Sequence, residues 1–134
     1  MLAVDTSVVI AGFAAWHEGH EAALTALDRR PRAPAHVLLE SYSVLTRLPP
    51  PNRTSPAIAV TFLKGRFLDP PLALQPDDHA RLVELVARYG LAGGSVYDAL
   101  IAWTVKLAGA TLLTRDSRAI RVYQTVDVPF ELLV

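Results

Sequence analysis

The sequence predicts an α/β protein, a three-layer α/β/α sandwich with a central, mainly parallel sheet. Three observations lead there. Short apolar runs of strand length alternate with segments whose apolar residues recur at helical spacing, and strands separated by helices imply crossovers that leave them parallel in a helix-covered sheet. The chain has 134 residues, 51% of them hydrophobic, the size of one domain that buries roughly two thirds of its unfolded surface. The first apolar run ends on an acid, Asp5, at the carboxyl end of a strand, where such sheets gather their functional groups.

Leu2–Val4 reads as a short buried strand. Val8–Ala15 and Glu18–Leu27 read as helix, the second with Ala23, Leu24 and Leu27 on one face. Ala35–Leu48 is a helix with Val37, Ser41, Val44, Leu45 and Leu48 on one side. It cannot run through "LPPPNRTSP" (Leu48–Pro56), because prolines remove donors and clash with the preceding turn. A further helix is expected at Ala57–Arg66 and a strand at "PLAL", residues 71–74. "PDDHARLVELVARYG" opens on N-cap acids, carries Leu82, Leu85, Val86 and Tyr89 at helical spacing and stops at Gly90. "SVYDALIAWTVKLAG" repeats that design, with Ser95 as N-cap, Ile101, Val105 and Ala108 inward, and Gly109 as the stop. "ATLLT" at 110–114 and "VPFELL" complete the strands. Residues 1–134 form one domain, without internal repeats.

Composition limits the function. The absence of cysteine excludes disulfides and thiolate metal sites and makes a cytoplasmic protein the default expectation. The first fifteen residues lack a basic flank, are broken by Asp5 and are too short to span a bilayer, so neither a signal peptide nor a membrane anchor is expected. Thirteen basic and thirteen acidic residues cancel, which argues against a uniformly positive surface but leaves room for local clusters such as Arg115, Arg118 and Arg121.

Four acids fall in unusually apolar company. Asp5 ends the first strand, Asp116 lies two residues past "ATLLT", Asp98 is near the start of a helix entered from Gly93–Gly94, and Glu40 shares a helix face with Val37 and Val44. Each also has a structural use. Asp5 can cap the next turn, Ser95-x-x-Asp98 matches a capping box, Glu40 can pair with Arg47, and Asp116 suits a turn or an N-cap. Carboxylates converging without counter-charges repel one another and are driven to protonate. A divalent cation such as Mg²⁺ or Mn²⁺ relieves this, prefers oxygen ligands and suits phosphodiester hydrolysis. Arg115 and Arg118, flanking Asp116, are candidate phosphate contacts, since arginine forks match phosphate geometry.

The joint pattern resembles the PIN-domain nucleases, and more narrowly the VapC-type toxins of toxin–antitoxin modules. "AVDTSVVI" is similar to the family's opening strand with its first acid, "VLLESYSVLTRL" to the helix carrying its glutamate, and "SVYDALIAWTVKLAGATLLTRD" to the stretch with its third and fourth acids. The resemblance implies an Mg²⁺- or Mn²⁺-dependent endoribonuclease in which Asp5, Glu40, Asp98 and Asp116 hold the metal. It implies that Thr114 orients the fourth acid or a bound water and that Thr6 supports the first acid. It further implies an RNA substrate, a homodimer and a cognate antitoxin that silences the active-site groove.

Other patterns are weaker. "HEGH" at 17–20 has its histidines three apart rather than the four of a zinc-protease helix, and reads as a solvated helix face. Trp16 and Trp103 are candidates for base stacking, but Trp103 lies in an amphipathic helix and reads as core or dimer contact. Gly93–Gly94 is followed by no phosphate-loop lysine. Two other classes remain: a phosphoacceptor of receiver or haloacid-dehalogenase type, and a catalytically inactive interaction module on the same fold. The dehalogenase pattern wants a second acid where this chain has Ser7, and a receiver wants a late lysine where Lys106 lies inside a helix.

Overall fold

A computed structural model describes residues 1–134. The chain runs β1 (Leu2–Val4), α1 (Thr6–Phe13), α2 (His20–Asp28), α3 (Ala35–Arg47), α4 (Pro56–Arg66), α5 (Pro76–Arg88), α6 (Ser95–Leu107), β2 (Thr111–Thr114), α7 (Ile120–Val126) and β3 (Phe130–Leu132). The strands pair in parallel in the order β1-β2-β3, with Val4 opposite Leu113 and Leu113 opposite Glu131. Neighbouring residues of a strand point to opposite faces. Ala3 and Val4 in β1, and Leu112 and Leu113 in β2, are all fully buried, so both faces of the sheet are closed by helices, as the sequence predicts. The folded surface is 7538 Å², against roughly 21,000 Å² for an unfolded chain of this mass, so about two thirds is withdrawn from water.

The run at 71–74 does not become a strand. Arg32 makes a single parallel bridge to Ala3 and Pro34 a single one to Leu72, so an extended segment lies beside β1 and a second beside the first, without a continuous ladder. Pro70 and Pro71 remove the donors that a ladder at Leu72 would need. Helix starts also differ from expectation. α1 begins at Thr6 because Asp5 caps it. α5 is capped at Gln75, whose N–H donates to the Asp78 carboxylate at 3.0 Å, so the acids lie inside the first turn rather than at the cap. α6 takes Gly94 as its N-cap, while the Ser95 hydroxyl donates backwards to the Ala92 carbonyl at 2.7 Å. Gly90 and Gly109 do end α5 and α6 in the left-handed region, at φ 67° and 69°.

Within the helical layer, Gly12 is needed for close approach, since a Cβ there would collide with Cδ1 of Leu27 on α2. α7 has no counterpart among the sequence-predicted elements. It is seven residues long and has no side-chain cap, and it ends at Asp127 with φ 65°. Its buried face, Val122, Tyr123 and Val126, joins the main core. No helix is long and apolar enough to cross a membrane.

Candidate active site

Parallel pairing of β1 with β2 sets Asp5 beside Thr114, and the Asp5 N–H donates to the Leu113 carbonyl at 3.1 Å. Asp5 is the N-cap of α1. Its Oδ1 accepts the Ser7 N–H at 3.0 Å and the Ser7 hydroxyl at 2.5 Å. Oδ2 accepts the hydroxyls of Thr114 and, at 2.7 Å, Tyr123. Four donors fill the lone-pair sites of a carboxylate. Capping and site placement are therefore one arrangement: the cap clamps one oxygen and turns the other to β2 and α7. At 3% exposure the carboxyl is pushed upward from its ordinary range by burial, which the hydrogen bonds from Ser7, Thr114 and Tyr123 oppose.

Thr114 joins the first acid to the fourth. Its hydroxyl donates to Asp5 and accepts the Asp116 N–H at 3.0 Å, while Asp116 Oδ1 accepts the Arg118 N–H at 3.0 Å in a tight local turn. Ser7 closes a second loop, its hydroxyl accepting the Arg115 N–H at 2.8 Å. The support expected of Thr6 thus falls to Ser7. An N-cap side chain reaches the second helical residue, not the first, and the buried Thr6 hydroxyl has no hydrogen-bond partner. The Arg115 side chain folds away, its Nη1 donating to the Leu133 carbonyl at 3.4 Å and its guanidinium occupying the space beside Gly19. Arg118 is exposed.

Asp98 lies in the first turn of α6, but the capping box with Ser95 does not form, because Ser95 is already helical. Its carboxyl is raised from the ordinary 3.8 to about 6, chiefly by burial and then by the charges of Asp116, Glu40 and Asp5, with His36 opposing. The other three sequence-predicted acids are therefore all within electrostatic reach of Asp98. Glu40, on α3, does not pair with Arg47. It meets His36 one turn earlier, at 3.2 Å from Nε2, and the His36 ring stacks on Tyr97 of α6. Of the four acids, only Glu40 has a basic partner within ion-pair distance.

Such a set of oxygen donors in excess negative charge fits a hard divalent cation. No group of three or more of them is placed to hold a metal ion, although Mg²⁺ keeps several waters and takes few carboxylates.

Tyr123 is the site residue that sequence reading misses. Burial and the Asp5 charge push its hydroxyl far upward, so it stays protonated and serves as a donor. The available signal is its spacing from Ala119, Val122 and Val126, which buries a tyrosine whose hydroxyl needs a partner. The histidines of "HEGH" are used locally instead: His17 Nδ1 accepts the Gly19 N–H and His20 Nδ1 meets the Ala11 carbonyl, at 2.9 and 2.8 Å. A cavity of about 550 Å³ is lined by Arg30, Arg32 and Arg66, and Arg32 lies alongside Ala3 of β1. None of the four acids lines it.

Residues 2–124 match the PIN domain. The chain is 48% identical over 133 residues to "Ribonuclease VapC40" of Mycobacterium tuberculosis (strain ATCC 25618 / H37Rv), covering 99% of each. It is 41% identical over 128 residues to "Ribonuclease VapC27" of the same strain, covering 95% of this chain and 93% of that protein. Among solved structures, a chain of FitAB bound to an IR36 DNA fragment superposes with a TM-score of 0.71 at 18% identity, covering 98% of this chain and 94% of that one. PAE2754 from Pyrobaculum aerophilum gives 0.61 at 20% identity, covering 96% and 89%. These two share the fold.

Two outcomes follow from the geometry. The folded state holds the Asp98 proton between about pH 4 and 6, where the unfolded chain has released it, so Asp98 favours folding at low pH and this contribution is lost as pH rises through about 6. With divalent ions chelated, Asp98→Asn should raise the melting temperature near pH 8 and leave it unchanged near pH 4; equal effects at both would refute the coupling. Tyr123→Phe, which strips a donor from a buried carboxylate, should cost about 1–3 kcal/mol in urea unfolding. A variant as stable as the parent would mean that the contact contributes nothing.

Proposed function

The chain belongs to the PIN-domain family, within its VapC-type ribonucleases, and on that premise we propose that it is a divalent-metal-dependent endoribonuclease, the toxin of a toxin–antitoxin pair, hydrolysing RNA phosphodiesters. One observation supports this most: the Asp98 carboxyl on α6 feels the charges of Asp5 at the end of β1, Glu40 on α3 and Asp116 in the loop after β2, and of the four only Glu40 has a basic neighbour. Asp5, Glu40, Asp98 and Asp116 would hold Mg²⁺ or Mn²⁺. When bound, such an ion neutralises phosphate charge and makes an attacking water more acidic.

The chain's own groups do the remaining work. Ser7, Thr114 and Tyr123 fix the Asp5 carboxylate, so its position is set before substrate arrives. Thr114 transmits that position to Asp116 through the Asp116 N–H. Asp98, half-buried in the first turn of α6, stands among the charges of Asp116, Glu40 and Asp5. Arg118, exposed beside Asp116, is our phosphate contact. Arg115 acts instead through its backbone N–H on Ser7 while its side chain is engaged with Leu133.

A cognate antitoxin, a second copy of the chain as dimer partner and a cytoplasmic setting complete the reading, and the VapC-type names of the relatives support the first of these. The phosphoacceptor alternative lacks its other groups: Ser7 stands where a dehalogenase-type site wants a second acid, and Lys106 lies inside α6 with its Nζ donating to the Val126 carbonyl. The inactive-module alternative leaves the convergence of four acids without a use.

The test is cleavage of total RNA by the purified protein, with EDTA and with Mn²⁺ restored. Cleavage should require the ion, and Asp5→Asn and Asp98→Asn should each lower it by more than about a hundredfold, beyond the loss typical of outer-shell groups at metal sites. Cleavage that survives EDTA, or that Asp98→Asn leaves intact, would contradict the assignment.

A further inference from the structure

At the rim of the acid cluster, an aromatic pair bridges α3 and α6. The rings of His36 and Tyr97 lie nearly parallel, 6° apart, with centroids 5.2 Å from each other. Neither position is incidental. His36 is bonded to Glu40 at 3.2 Å, and Tyr97 immediately precedes Asp98 in the first turn of α6. Yet Tyr97 is 53% exposed. A tyrosine recruited only to pack two helices together would bury more of its ring; here the hydroxyl has no protein partner and the ring stays open to solvent.

Resting on the ribonuclease reading above, we propose that Tyr97, backed by His36, is the stacking platform for an unpaired base of the RNA next to the phosphate being cleaved. Charge alone is poorly suited to hold RNA here. The chain has no net charge, the acids repel phosphates, and Arg115 is turned toward Leu133. Stacking on an aromatic face needs no net positive charge and accepts every base. His36 keeps the tyrosine ring flat against α3 and, through Glu40, ties the platform to the acid cluster, so that a base seated on it would bring its own phosphate to the carboxylates. A base inside a duplex has no free face, so the platform selects single-stranded or looped RNA. Sequence preference would have to come from elsewhere, because stacking reads no hydrogen-bond edges.

The experiment compares the full-length protein with Tyr97→Phe and Tyr97→Ala. It uses a short single-stranded RNA carrying 2-aminopurine and the same strand annealed to its complement. Binding is followed by fluorescence quenching with Asp116→Asn in each background, so that no strand is cut, and steady-state cleavage is measured without that change. Tyr97→Ala should weaken single-strand binding about tenfold or more, remove the quenching and raise KM with kcat largely kept, whereas Tyr97→Phe, which retains the face, should match the parent. The duplex should bind poorly to all three. An active parent whose binding, quenching and KM are unchanged by Tyr97→Ala overturns the platform alone. A Tyr97→Phe variant as impaired as Tyr97→Ala overturns it in favour of the hydroxyl. A parent that cleaves no RNA with any divalent ion overturns the ribonuclease reading itself, and the platform with it.

Discussion

Burying a carboxylate at the end of a parallel strand is the constraint on which the rest of this site depends. An unpaired ionised acid in an apolar interior is among the costliest groups a fold can contain. Asp5 is tolerated because each of its oxygens meets two donors, drawn from three different elements: the first turn of α1, the last residue of β2 and the middle of α7. Each donor ties a piece of architecture to the acid. The β1–β2 register must bring Thr114 alongside, α1 must start one residue after β1, and the short α7 must pack so that Tyr123 reaches across. A one-residue slip of β2 would turn Thr114 to the other face.

The same edge of the sheet carries charge that the protein does not neutralise internally. The ion pairs of the molecule lie elsewhere, at Arg29–Glu131, Arg66–Asp28 and Arg81–Asp78, apart from the His36–Glu40 contact. A fold selected for stability alone would not gather four acids and raise the Asp98 carboxyl to about 6. Concentrated, mutually destabilising titratable groups are the usual mark of a site that awaits a positively charged ligand. The hydroxyl ring around Asp5 and the single histidine beside Glu40 make the cluster stable enough to fold while leaving Asp98 and Asp116 without cationic partners.

Much of this was legible in the sequence because it rests on local rules. Alternating strand and helix periods give the sandwich, glycines end α5 and α6 where left-handed stops are needed, and the four acids stand out by their apolar neighbours. What escaped reading depends on contacts between distant segments. Tyr123 lies 118 positions from Asp5 along the chain, and α7 is too short and uncapped to show a period. Ser7 and Thr6 are indistinguishable by type, and only the reach of an N-cap carboxylate to the second helical residue decides between them. Ser95 and Asp98 have the spacing of a capping box, but Gly94 takes the cap position first and leaves Asp98 for the site. Spacing alone does not choose a partner for Glu40: Arg47 and His36 both share its helix, and the stack on Tyr97, which no local pattern announces, holds His36 in place.

The central claim is that these carboxylates form one coupled cation site, and calorimetry of Mn²⁺ binding to the purified protein across pH tests it most directly. One site should be occupied near pH 8, weaken as the pH falls below about 6 and Asp98 takes up its proton, and disappear in Asp98→Asn. Binding that persists undiminished in Asp98→Asn, or that shows no dependence on pH through this range, would contradict it.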